Sequence, residues 1–252
     1  MSAVAIFLIA FALILGSTFF GTLLRSRLPE QHLSGDSKEV IRLATALIAT
    51  MSAVVLALLF ASTRASYEQT SSSVSRLTAD LIELDELLRD YGPETVLLRK
   101  TLRDDIGPLI NSIWHDDAAN NNAKQLPHHR ESVLYMIREL TPKNSIQSSL
   151  QARALQVSTD MAQTRLTLFA QPADSISRPF VIVLILWLMF IFASFSMSSK
   201  ANATLISVLC ICVLAASGAI YLIVELGEPF DGLMQISNNP LRSALSPLPL
   251  SS

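Results

Sequence analysis

The sequence predicts an all-α, multi-pass membrane protein, with four transmembrane helices and a helical-bundle soluble domain inserted between helices 2 and 3. Three observations predict it. Half of the 252 residues are hydrophobic, 16% are charged and the mean hydropathy is +0.43, too apolar for an ordinary soluble chain. No Asp, Glu, Lys or Arg occurs in residues 1–24, 43–63, 179–199 or 201–224. Each stretch can cross a hydrocarbon layer of about 30 Å as a helix rising about 1.5 Å per residue. Residues 62–178, in contrast, hold 13 Lys/Arg and 15 Asp/Glu with almost no strand-like alternation.

These patterns divide the chain into four regions. Residues 1–62 carry spans 1 and 2, at about 4–24 and 43–61; residues 63–178 form the soluble domain. Residues 179–224 carry spans 3 and 4, at about 180–197 and 204–224, and residues 225–252 are a C-terminal tail. The first span lacks a basic leader, and its apolar core is longer than the 7–15 residues of a cleaved signal. Arg25, Arg27 and Arg42 flank the first two spans as expected headgroup anchors. In the second span Thr45, Ala49, Ala53, Ala57 and Ala61 recur every fourth residue, a spacing that lets helices approach closely where lipid supplies no hydrophobic drive. That contact is either within one subunit or between subunits, and a pore-lining role is the sharper reading. Spans 3 and 4 are separated only by residues 198–203, which predicts a hairpin. Cys210 and Cys212 lie inside span 4 and read as reduced packing residues.

From Thr63 the second span should continue out of the membrane as a polar helix, because no Gly or Pro intervenes before Gly92-Pro93. Val74, Leu77, Leu81, Leu84 and Leu88 form a seam at 3-4-3-4 spacing that requires a partner. Leu98, Leu102, Ile106, Leu109 and Ile113 make a second apolar face, with a kink expected at Gly107-Pro108. Residues 115–130 read as a surface loop and 131–140 as a short helix. Residues 145–168 form a longer helix with Ile146, Leu150, Ala154, Val157, Met161 and Leu168 on its apolar side. An antiparallel bundle of three or four helices satisfies these faces.

No Walker loop, dinucleotide-binding glycine pattern, zinc-protease helix or nucleophile elbow occurs, so neither enzymatic activity nor a cofactor is expected. A net charge of −2 gives no nucleic-acid surface. His115, Asp116, Asp117, His128 and His129 have metal-binding chemistry, but their spacing matches no ligand pattern and a solvated loop is the simpler reading. After span 4, Glu225, Glu228 and Asp231 place three carboxylates within seven residues at the membrane boundary. Repeated by symmetry they would form an acidic ring at a pore mouth; otherwise they are a polar helix end before a Gly/Pro turn.

Arg27-Leu28-Pro29 with His32 and Asp36, Tyr67-Glu68, and Glu228-Pro229-Phe230 with Gly232 occur in an order that resembles the bestrophin-like domain family. The resemblance covers nearly the whole chain, and residues 228–232 with the preceding span are its most specific part. It implies similarity to bestrophins, which are pentameric anion channels with four membrane helices and a cytosolic helical domain between the second and third. The acidic calcium clasp of animal bestrophins is not found here, and Phe60 is the only aromatic residue of the second span. Calcium gating and anion selectivity are therefore not carried over.

Two functional classes remain. The first is a homo-oligomeric protein that conducts small ions across the lipid bilayer of the cell membrane. The second is a membrane-anchored interaction or sensory protein, favoured by spans devoid of the ionisable residues that transport pathways usually keep. For orientation, Arg25, Arg27, Lys38, Arg42 and Lys200 lie in the two short loops, which the positive-inside rule places in the cytoplasm. The helical domain and both termini are then extracytoplasmic, the reverse of the bestrophin arrangement.

Overall fold

The computed structural model describes residues 2–27, 36–114, 127–170, 178–198 and 202–244. These residues form α1 (Ala3–Arg27), α2 (Asp36–Tyr91), a 3-10 turn (Pro93–Thr95), α3 (Val96–Asp104) and α4 (Ile106–Trp114). They continue with α5 (Pro127–Glu139), α6 (Ser145–Ala170), α7 (Arg178–Ser198), α8 (Ala203–Leu226) and α9 (Asn239–Ser243), and include no strand. Four helices, α1, α2, α7 and α8, are long and apolar enough to cross a membrane, at the four charge-free stretches.

The chain divides into two compact units. The first comprises Met1–Tyr67, Ala173–Glu228 and Gly232–Met234. Its core is built from α1, α7 and α8: Ala3, Ala10, Leu184, Ile220 and Val224 form one cluster, onto which Leu56 and Leu59 of α2 pack. Ile14, Phe192, Leu209 and Val213 form another. Gly21 lies so close to α7 that a Cβ there would stand 3.1 Å from the Ala193 carbonyl carbon. Only a glycine permits that approach. Hydroxyls in these helices bond to carbonyls one turn back, as in Thr18 to Ile14 at 2.8 Å, Thr45 to Ile41 at 2.7 Å and Ser217 to Val213 at 2.8 Å. A polar side chain satisfied within its own helix needs no water, which is the condition for placing it in lipid. Cys210 and Cys212 are free and exposed, so the expected packing role is corrected; Leu209 and Val213 occupy the buried side of α8 instead.

The second unit comprises Glu68–Pro172, Pro229–Asp231 and Gln235–Ser252. The seam of Val74, Leu77, Leu81, Leu84 and Leu88 is buried, as are Leu98, Leu102, Ile106, Leu109 and Ile113. α2 runs unbroken for 56 residues and ends where predicted, at Gly92, whose φ of 130° and ψ of −174° are open only to glycine. Thr95, fully buried, ties the turn by donating its hydroxyl to the carbonyls of Leu88 and Gly92. The break between α3 and α4 falls after Asp104, three residues before the Gly107-Pro108 pair. Pro108 has no N–H for the Asp104 carbonyl and its ring crowds that oxygen, so the interruption appears one turn ahead of the proline.

Two expectations require correction. Residues 127–130 are helical, because Pro127 sits at the start of α5, where its fixed φ favours a helix and its missing N–H costs nothing. Ile146 is exposed, while Ala154, Val157 and Leu168 are buried; the apolar face of α6 begins later than the spacing predicts. Gln147 explains part of this, since it accepts from Lys143 N and donates to the Tyr91 carbonyl at 2.9 Å. The first turn of α6 is thus held by polar contacts rather than by its isoleucine.

Candidate functional site

Glu225 is the first charged residue after the charge-free stretch of α8, and its side chain is nearly removed from solvent at 3% exposure. A buried carboxylate is costly unless donors surround it. Here Oε1 accepts the backbone N–H groups of Leu233 and Met234, the second at 3.1 Å. The chain reaches this position because α8 stops at Gly227, whose N–H bonds to the Ile223 and Val224 carbonyls, and because Gly232 adopts φ 84°. A Cβ on Gly232 would stand 2.9 Å from Cδ of Glu225. The same turn is tied to α2 by the Tyr67 hydroxyl, which donates to the Met234 carbonyl at 3.0 Å. Glu225 and Gly232 therefore act as a matched pair that folds residues 232–234 back to the end of α8.

Within the second unit, the neighbouring residues form an aromatic anchor. The Trp114 ring meets Phe230 edge-on with centroids 5.5 Å apart, and its indole N–H donates to the Ile236 carbonyl at 2.8 Å. Ile236 N in turn donates to the Pro229 carbonyl at 2.8 Å. Leu241, in α9, is fully buried.

The three carboxylates expected at the membrane boundary thus have different environments: Glu225 is buried, Glu228 is half-buried and Asp231 is exposed. Of the small-residue series in α2, Thr45 is buried, Ala49 half-buried, and Ala53, Ala57 and Ala61 are exposed. Arg25 donates to the Met197 carbonyl at 3.0 Å, a cation at a helix C-terminus where the dipole favours it. Arg27 and Arg42 are exposed. His115, Asp116, Asp117 and Lys200 lie outside the described residues, as do Leu28, Pro29 and His32; the side chains of His128 and His129 are likewise undescribed. Among the described residues, no group of three or more His, Cys, Asp or Glu is arranged to hold a metal.

Two carboxylates of α2 in the second unit have opposite electrostatics. At Asp85, burial alone would raise the carboxyl, but hydrogen bonds from Arg99, both at 2.8 Å, and the charges of Arg99 and Arg103 hold it below its ordinary value. At Asp80, burial raises the carboxyl, Arg76 opposes this, and the negative charges of Asp160 and Glu83 add to it. Among the described residues, one Asp80 oxygen is buried with no hydrogen-bond partner.

A family model of the Bestrophin-like domain matches residues 11–241, from within α1 to α9. The chain belongs to the Bestrophin-like domain family. No curated protein and no solved structure matches it. For this bestrophin-like chain the matched region includes the Glu225–Gly232 pair and the Trp114–Phe230 anchor, and its four apolar helices give it a lipid environment.

Proposed function

We propose that this bestrophin-like protein is a homo-oligomeric, ion-conducting protein of the cell membrane, not an enzyme, whose residues 63–178 form a water-exposed domain between spans 2 and 3. The observation that carries this reading is the uneven burial of the spans. Only 11% of the apolar window of α2 is buried inside the chain, against 28% for α1, 28% for α7 and 22% for α8. The exposed part of α2 includes Ala53, Ala57 and Ala61, whose small side chains suit close contact with another helix or a line of passage. Glu225 serves the turn that follows α8, leaving Glu228 and Asp231 as the pore-mouth carboxylates, of which Glu228 is the residue proposed to meet a permeating cation.

The detergent-solubilised mass should be a multiple of 27.5 kDa, and liposomes should pass small ions. Glu228→Gln should change conductance or cation preference without unfolding the protein. A monodisperse monomer with no flux under varied pH and calcium would replace this reading with that of a membrane-anchored interaction protein, which the absence of charge within the spans favours.

The side of the membrane follows from local charge. Arg25, Arg27, Lys38, Arg42 and Lys200 favour cytoplasmic short loops, with the helical domain outside. Reporter fusions at residue 121 test this: alkaline phosphatase activity supports it, and fluorescence of a cytoplasm-dependent reporter reverses it.

A further inference from the structure

Leu233 is the most exposed large apolar side chain of the chain's described residues, at 85%, and Met234 beside it is also exposed. An isolated exposed leucine in a soluble loop requires no explanation. Here its height along a membrane helix is fixed. α8 has 24 residues, so at about 1.5 Å each it measures roughly 36 Å, slightly more than the hydrocarbon layer of about 30 Å. Glu225 lies at the end of that length, and its carboxylate accepts the N–H groups of Leu233 and Met234. The turn is therefore level with the end of the span.

Its backbone is also prepared for a poorly hydrated setting. The Leu233 and Met234 N–H groups are bonded to Glu225, and the Met234 carbonyl accepts the Tyr67 hydroxyl. Polar backbone groups near hydrocarbon must be satisfied within the protein, and tyrosine is enriched at that boundary. Leu222, on the preceding turn of α8, is exposed as well, so the apolar surface of the span continues towards the turn.

We infer that residues 232–234 are an interfacial membrane anchor, in which Glu225 and Gly232 fold the turn so that the Leu233 and Met234 side chains enter the boundary between headgroups and acyl chains. The occupant of this surface is lipid. The inference rests on the membrane location of α8 and is independent of ion conduction.

A nitroxide on Leu233→Cys in the full chain, with Cys210→Ala and Cys212→Ala, tests it in phosphatidylcholine vesicles. Labels on Ile211→Cys and Lys100→Cys provide the lipid and water references. The label at 233 should collide with oxygen in preference to a water-soluble nickel chelate, and should be several-fold less accessible to nickel than the label at 100. Nickel accessibility equal to that at 100 would overturn the anchor. Low accessibility to both reagents would also overturn it, because protein rather than lipid would then cover the site. Glu225→Ala should move the 233 label into water while leaving the 211 label unchanged, whereas Glu225→Gln, which retains an acceptor, should preserve its depth. An unchanged depth in Glu225→Ala would remove Glu225 from the device.

Discussion

Along the single helix α2, Leu43, Leu47 and Leu58 are 65%, 59% and 65% exposed, whereas Leu77, Leu81, Leu84 and Leu88 are each 1% exposed. Residue type and backbone are the same, and the difference is in the surroundings that each half is built for. With residues 63–178 water-exposed, as proposed, burying leucine away from water drives packing in the second half. In the first half, lipid tails are as apolar as leucine, so exposure carries no penalty and packing relies on close fit and small residues. Hydrophobicity alone thus identifies both halves as structured, while the neighbouring charges, such as Glu83, Asp85, Glu86 and Arg89, distinguish them.

The strongest way to break this contrast is to truncate one leucine from each half. Leu84→Ala should destabilise the protein by about 2–5 kcal/mol, and Leu47→Ala by less than about 0.5 kcal/mol, as read by denaturant titration in one detergent. An equal loss for Leu47→Ala would mean that another chain covers its face of α2.

A smaller effect separates glycine used for contact from glycine that is not. Gly21→Ala must force α1 from Ala193 of α7 and should cost about 1–3 kcal/mol. Gly16→Ala, with nothing among the described residues within 4 Å of the added Cβ, should be neutral or stabilising by about 0.4–1 kcal/mol. Thermal melting of the two variants checks the difference, and equal melting would place the packing elsewhere.

The smallest effect sharpens the electrostatics of the second half. Asp85 titrates below its ordinary value of 3.8, so its ionised form stabilises the fold above that pH, and the contribution is lost as pH falls through the depressed value. Asp80 titrates above 3.8, so its contribution is complete below that pH and is lost as pH rises through the raised value. At neutral pH, Asp85→Asn should therefore cost about 1 kcal/mol, while Asp80→Asn should stabilise. Melting curves from pH 3 to pH 8 should show the two variants diverging from the parent in opposite directions; a common direction would show that side-chain packing outweighs charge.

The four spans and the length of α2 are legible in the sequence because each depends on composition or on a local stop: stretches without charge, then Gly92-Pro93. The leucine seam is legible for the same reason, since a helical period needs no knowledge of the partner. The start of α5 was hidden by Pro127, a residue that ends helices in their interior yet begins them at the first position. The Glu225 turn was not legible. Three nearby carboxylates look alike in sequence, and only the positive φ of Gly232, seven residues further along the chain, selects Glu225 as the one that is buried. Asp80 and Asp85 likewise differ through residues from other elements, Asp160 of α6 and Arg99 of α3.

The Trp114 indole has consequences for the order of events during synthesis. Its hydrogen-bond acceptor, the Ile236 carbonyl, is 122 residues further along the chain, and at about 5–20 residues per second the ribosome takes roughly 6–24 s to supply it. During that interval α4 has been made but its ring has neither Ile236 nor Phe230 to meet, while the last two hydrophobic helices are still being delivered to the bilayer. The second unit is thus closed by a segment synthesised after both of those helices, and a nascent chain arrested before residue 236 would hold this indole without its native acceptor.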